Sequence, residues 1–322
     1  MIEQGPGSDS ESTTLNLSEA VASLIRGGWD ELESTLVEFG DAVLLADTRS
    51  RVRCHFVRST PNGLARVKAL ASQLANQIVH FCIPRSDLEA AQALPPDRQA
   101  PAIIKLAREA ESLFTQTQVK TGEGGELLLY ALLEKRLGIP QIMSKMSFKT
   151  STEMQIHGAD GVHGTLLDDG NLALYWGEAK LYDSLPDAMS SCLDSLEPYL
   201  VGDAHEQDLF LLRHHADAGN AELTARLLEY FDNGSLKSAH VEMRGACLIG
   251  FSQSEYPVLP RDIDSIADDL ESQLAEWRRG MRTRVRNRKL EQFEIEVFFV
   301  PVPTVQDLRN AIKLELRIPV TE

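Results

Sequence analysis

The sequence predicts a mixed fold of the α/β or α+β class. Short runs rich in Val, Ile, Phe and other apolar residues alternate with longer stretches whose apolar residues recur at helical spacing. Asp168-Asp169-Gly170-Asn171, set between two apolar runs, is a strong hairpin-turn signal. The 322 residues show no internal repeat and suffice for one large domain or two ordinary ones.

Residues 1–15 are small, polar and acidic, and read as a disordered tail. Residues 16–39 read as helix, broken at Gly27-Gly28. A strand is expected at 52–58, a helix at 64–77 and a second short strand at 78–83, closed by Pro84. Residues 84–101 read partly as loop because of Pro95, Pro96 and Pro101; 102–114 reads as helix. Gly122 to Gly125 reads as a turn, followed by a helix over 126–137 that stops at Gly138 and Pro140. A weak strand is expected at 141–148, then a glycine-punctuated stretch at 156–167 and the hairpin. Helices follow at 185–198, 204–216 and 220–231, a strand at 240–251, and a helix at 262–279 that starts acidic and ends Arg278-Arg279. A strand at 292–300, stopped by Pro301 and Pro303, and a helix at 305–316 close the chain. We divide it into the tail, an N-terminal α/β region at 16–118 and a core at 119–322 with helical and strand additions.

Composition removes several function classes. With 43% apolar and 25% charged residues the chain is globular, neither disordered nor fibrous. A net charge of −16 opposes non-specific coating of nucleic acid, though not a local basic groove or a metal-neutralised carboxylate site. Cys54, Cys82, Cys192 and Cys247 are far apart and form no CxxC pair, so neither a zinc cluster nor a disulfide framework is signalled, and a reduced, cytoplasmic protein is expected. The N-terminus lacks a basic, apolar targeting pattern. No apolar run approaches the roughly 20 residues that span a bilayer, so no membrane partner is expected.

The chemistry gathers around residues 120–182. On a strand Glu178 and Lys180 are two apart and point to one face. Asp160 precedes the first hairpin strand, and Glu126 opens a helix. Carboxylates supply the oxygen ligands that hard cations require, a bound metal compensates phosphodiester charge while water attacks, and a lysine can hold that water or stabilise the transition state. Plainer readings stand beside this one. Glu-x-Lys on a strand is commonly an exposed ion pair. Glu126, like Glu123 beside it, is a favoured helix-start carboxylate, and Asp160 next to Gly161 suits a turn.

The segments Gly122-Glu123-Gly124-Gly125-Glu126-Leu127-Leu128-Leu129-Tyr130, Gly158-Ala159-Asp160-Gly161-Val162-His163 and Trp176-Gly177-Glu178-Ala179-Lys180-Leu181-Tyr182 resemble the HamA family, the nuclease subunit of the Hachiman antiphage defence system. That family is similar in its core to the PD-(D/E)xK nucleases. The resemblance implies a restriction-endonuclease-like α/β core, a mixed central sheet flanked by helices, here with an N-terminal α/β extension. It implies a Mg²⁺-dependent deoxyribonuclease, with Mn²⁺ as the alternative metal. Asp160 and Glu178 fall on the metal-binding acids, Lys180 on the catalytic lysine, and Glu126 on the acid of the first core helix, with Glu123 as runner-up. Residue 159 is Ala where the superfamily usually has Pro. DNA and a superfamily 2 helicase subunit, HamB-like, are the implied partners, the helicase restraining and then activating the nuclease.

Lys145 and Lys149 flank Phe148 and are candidates for phosphate contact or for a solvated face. His163 is a site candidate if it shares the face of Glu178; otherwise it is a structural histidine. Arg278, Arg279, Arg282, Arg284, Arg286, Arg288 and Lys289 make seven basic residues in twelve with no acid among them. They read as a nucleic-acid or partner contact, or more simply as a helix end and a solvated turn. Two further functions stay open: a non-catalytic DNA-binding or adaptor subunit that retains the nuclease-like fold, and an enzyme acting on small phosphorylated substrates.

Overall fold

The computed structural model describes residues 16–26, 32–116, 123–143, 161–216, 218–232, 234–257 and 267–318. Among these, eight strands form one sheet: β1 (Leu36–Glu38), β2 (Val43–Leu44), β3 (Arg51–Val57), β4 (Gln141–Met143), β5 (Gly161–Leu166), β6 (Leu172–Tyr182), β7 (Val241–Ser252) and β8 (Ile295–Val302). Their order is β1-β3-β8-β7-β6-β5-β4, with β2 pairing β3. The central strands β3, β8, β7 and β6 are parallel, while β5, β4, β1 and β2 pair antiparallel at the flanks. Mixed pairing with both faces covered is the α/β architecture that the sequence predicts.

Period-2 alternation sends each strand's residues into two cores. Leu172, Leu174 and Trp176 of β6 and Cys247 and Ile249 of β7 enter one core with α8 (Leu185–Leu200), α9 (Ala204–His215), α10 (Ala221–Phe231) and α11 (Ala267–Asn287). Ala173, Tyr175, Ala179 and Leu181 of β6 and Ala246 and Leu248 of β7 enter the other, with α3 (Val67–Ala75), α4 (Ile78–Cys82), α7 (Glu123–Leu137) and α12 (Val305–Glu315). α1 (Leu17–Ala22) packs on β5, and α2 (Leu32–Thr35) precedes β1. Every residue of α7 from Leu127 to Leu133 is at most 2% exposed. A helix apolar on all sides is one that is covered on all sides.

Several expectations are corrected. Residues 78–83 form helix α4, not a strand: Ile78, Phe81 and Cys82 are buried at helical spacing, and Phe81 packs on Phe114 and Tyr130. Residues 84–101 hold α5 (Arg85–Gln92) and the start of α6 (Pro96–Gln116), with Pro96 at the first helical position, where a missing N–H costs nothing. Residues 36–38 are strand rather than helix, hydrogen-bonded to β3. α7 begins at Glu123 rather than Glu126. α11 continues past Arg279 to Asn287, and β8 runs through Pro301 to Val302. The hairpin turn, with Gly170 at φ 84°, and the stop of α7 at Gly138, φ 63°, fall where they were expected. Among the described residues no helix is long and apolar enough to cross a membrane.

Candidate active site

β6 carries the site. It pairs in parallel with β7 over its whole length and antiparallel with β5 from Gly161↔Gly177 to Leu166↔Leu172. The β5 ladder therefore begins one residue before Glu178. Glu178 and Lys180 share a face, as their spacing predicts, and Lys180 Nζ donates to Glu178 Oε2 at 3.0 Å. The pair is not a surface ion pair: Glu178 is 5% exposed, and the lysine side chain 21%. The Cys192 thiol of α8 donates to the Glu178 carbonyl at 3.3 Å, and Cys247 stands opposite Glu178 on β7. Burial pushes the Cys192 thiol up, which keeps it protonated as that donor. At the strand end Tyr182 bonds Ser191 at 3.1 Å, and Arg309 of α12 donates to the Leu181 carbonyl. The carboxylate and the ammonium thus sit on a strand fixed from α8, α12 and β7.

The first turn of α7 lies against the other face of this segment. A Cβ on Gly125 would stand 3.0 Å from Ala179 Cβ and 3.3 Å from Leu181 Cγ, and one on Gly177 would stand 3.1 Å from Leu129 Cδ2. Two missing side chains thus let helix and strand approach closely. Glu126, half-buried, follows Gly125 on α7, on the face of the sheet opposite the one that Glu178 and Lys180 share. Glu123 opens the helix one turn earlier.

Asp160 and Lys149, with Lys145, His157 and the tail 1–15, lie outside the described residues. His163 is on β5 opposite Tyr175, so it faces α7 and not the Glu178 side. It is buried, its Nδ1 meets the Ile139 carbonyl at 3.0 Å and its ring packs on Tyr130. Burial, with the Arg26 charge, holds its pKa down to about 4 against the usual 6.5, so it is neutral near pH 7. The condition that would make it a site residue is not met.

The basic segment divides by helix face. Arg284 donates to Ser190 at 3.0 Å and Arg288 to Asp194 at 2.8 Å, both on α8, and Arg278 pairs with Glu271 at 2.5 Å. Arg279, Arg282 and Arg286 line a groove of about 330 Å³ on the outer side. Lys289 ends the segment in the left-handed region, φ 57°. A wider cavity of about 720 Å³ lies elsewhere, among Glu19 and Ser23 near α1, Arg85 and Asn220, and holds none of the predicted site residues.

Sequence reasoning passed over Asp208. It is fully buried on α9 and accepts the Trp176 indole N–H at 3.0 Å, on the face of the sheet that carries Glu178. Nothing in its helical segment marked it, because an Asp there reads as solvated. Among the described residues no group of three His, Cys, Asp or Glu is placed to hold a metal ion.

The chain was compared with known proteins. No curated protein matches it. A family model described as HamA matches residues 32–316, from α2 to the end of α12, and so takes in the whole described sheet, Glu178 and Lys180. A match over most of the length shows the family: the chain belongs to HamA, of the Hachiman antiphage defence system.

Proposed function

We propose that this HamA-family chain is a Mg²⁺-dependent deoxyribonuclease, the effector of antiphage defence, restrained and activated through a helicase subunit. The observation that carries this reading is the buried Glu178–Lys180 pair, Nζ to Oε2 3.0 Å, on the central strand. A carboxylate 5% exposed, held to an ammonium whose side chain is 21% exposed, is costly to desolvate, and such pairs recur where charge is put to chemical use.

Glu178 brings a hard oxygen donor to the strand, and Gly161, paired with Gly177, is bonded directly to Asp160, the second acid of the reading. The carboxylates of Asp160 and Glu178 are the hard oxygen donors that suit Mg²⁺, with Mn²⁺ as the alternative. When bound, the metal supplies charge compensation for the phosphodiester and acidifies its water. Lys180, held by Glu178, places its ammonium to orient the attacking water or to neutralise charge developing on phosphorus. Glu126 is the third acid of this reading; it belongs to α7, on the face of β6 opposite Glu178 and Lys180, so the geometry supports its part least. A reduced, cytoplasmic setting accords with four buried free thiols.

The test is cleavage of plasmid and linear DNA with Mg²⁺, by the chain alone and with its helicase partner and ATP. The Glu178→Gln and Lys180→Ala variants should lose cutting by two orders of magnitude or more while remaining folded, with wild-type circular dichroism at the assay temperature, although each lowers the melting point by breaking the pair. If a folded wild-type preparation never cuts under any of these conditions, the enzyme reading fails. Protection against phage that survives both substitutions would instead favour a DNA-binding adaptor.

A further inference from the structure

The outer face of α11 is organised as a row. Arg279, Arg282 and Arg286 are three and four residues apart and so lie one above another. They line the groove together with Thr283, Asn287 and Glu291. Seven residues of helix rise about 10.5 Å, and one strand of B-form duplex carries a charge every ~3.4 Å of axis. The row's length thus equals about three nucleotide steps of axial rise, enough for it to meet more than one phosphate of a strand. Thr283 and Asn287 add the uncharged hydroxyl and amide that commonly complete backbone contacts. α11 packs into the core on the Glu178 side of the sheet through Leu274, Met281 and Val285.

A carboxylate already occupies this row. Asp47, in the turn between β2 and β3, pairs with Arg282 and stands 3.9 Å from Arg286, and the neighbouring Ala46 carbonyl accepts from Arg282 Nε at 2.8 Å. Asp47 has φ 57°, a left-handed conformation that Asp tolerates better than most residues. One of its oxygens, Oδ2, accepts from Arg282 and lies within ion-pair distance of Arg286, so an anion already sits between two of the row's cations.

We infer that the Arg279–Arg282–Arg286 groove binds the phosphates of a nucleic-acid backbone, and that Asp47 is its built-in counter-anion, displaced when a strand enters. The inference rests on the reading of the chain as one that acts on DNA and adds where the backbone lies. An even row of cations with interleaved hydroxyl and amide fits the regular charge of a backbone better than the scattered carboxylates of an acidic protein. It also reconciles a net charge of −16 with a DNA substrate: affinity is local, and an internal anion holds it down.

The test uses the full chain in EDTA, so that no cutting occurs, with a fluorescein-labelled 20-base-pair duplex and the matching single strand, followed by anisotropy from 50 to 200 mM KCl. Arg279→Gln/Arg286→Gln should lower the duplex salt slope by about 1.8, so affinity falls about twelvefold less across that range than for wild type. Asp47→Asn should tighten binding up to about fivefold. Lys105→Gln/Arg108→Gln, which removes the same charge from the exposed face of α6, should leave the slope unchanged. The inference is overturned if the arginine variant binds as wild type, if the α6 variant matches it, if Asp47→Asn does not tighten binding, or if wild type and Asp47→Asn both fail to bind at 50 mM. Retained DNA binding with loss of a co-expressed protein partner would make the groove a protein dock and overturn it too. These binding results without any Mg²⁺-dependent cutting would leave the groove standing and remove the nuclease reading.

Discussion

His163→Asn separates a core histidine from a catalytic one. His163 has a pKa near 4 in the folded chain against 6.5 when free. Below pH 6.5 the unfolded chain takes the proton first, so the stability contributed by the neutral ring is complete above that pH and lost as pH falls toward 4. With these two values, folding loses about 2 kcal/mol between pH 7 and pH 5 from this residue alone. The ring has nowhere to hide the charge: it is 2% exposed, packed at a tilt against Tyr130, within the field of Arg26, and its Nδ1 faces the Ile139 carbonyl. Asn keeps an amide donor for that carbonyl and carries no proton to gain. Urea unfolding of both proteins at pH 7 and pH 5 should show the variant losing about 2 kcal/mol less than wild type. His55, also buried and held down to about 3, titrates in both proteins and cancels in the comparison. DNA cleavage by the variant should keep the wild-type pH profile. An identical pH dependence of stability in the two proteins, or a variant whose cleavage profile moves while its stability profile does not, would refute the assignment.

Three further outcomes follow from the packing. Glu134 is 1% exposed and accepts the Arg26 and Gln141 backbone N–H groups at 2.9 and 3.2 Å, so Glu134→Ala strands two buried donors and the Arg26 charge. It should cost about 3–5 kcal/mol in urea unfolding, whereas an effect under about 1 kcal/mol would mean that the network is not closed. Gly125→Ala gains about 1 kcal/mol of helix propensity but places a Cβ 3.0 Å from Ala179 Cβ; overpacking of about 1–3 kcal/mol should win, and cleavage should fall with stability because the same contact fixes the strand between Glu178 and Lys180. Asp208→Ala leaves the Trp176 indole N–H without its acceptor and should cost about 1–3 kcal/mol with a shifted tryptophan emission, while Asp208→Asn restores most of both.

The Glu178–Lys180 pair was legible because it rests on the period of a strand, which local sequence dictates. The face of His163 was also within reach. Leu167 N–H bonds the Asn171 carbonyl across the Asp168–Gly170 turn, and counting back from there sets His163 opposite Tyr175, one step out of phase with Glu178. Residues 78–83 were not legible: five apolar residues with one histidine, without alternation, fit a strand or a buried helix equally, and only the ring contacts of Phe81 decide. α11 was read too short because Arg278-Arg279, after an acidic start, match the basic end of a helix dipole. The helix instead continues because Met281 and Val285, beyond that point, are buried in the core that it shares with α8. That is a tertiary reason, invisible in a window of neighbours. The short β1 was hidden for the same cause, since three residues gain strand geometry only from β3.

The extension of α11 changes what its charge means. As a linear run, seven basic residues in twelve suggest one undivided patch. Wound at about 100° per residue, they cannot act together. Arg284 and Arg288 are drawn to Ser190 and Asp194 on α8, beside Ser191 and Cys192, which contact Tyr182 and Glu178. These two arginines brace the helix that braces the site, so neutralising them should loosen α8 and lower cleavage and stability together. Arg279 and Arg286 brace no such helix and, with Arg282, face the groove. Their removal should change DNA affinity and salt dependence at constant stability. One basic segment thus holds two separable roles, and substituting all of its arginines at once would confuse them.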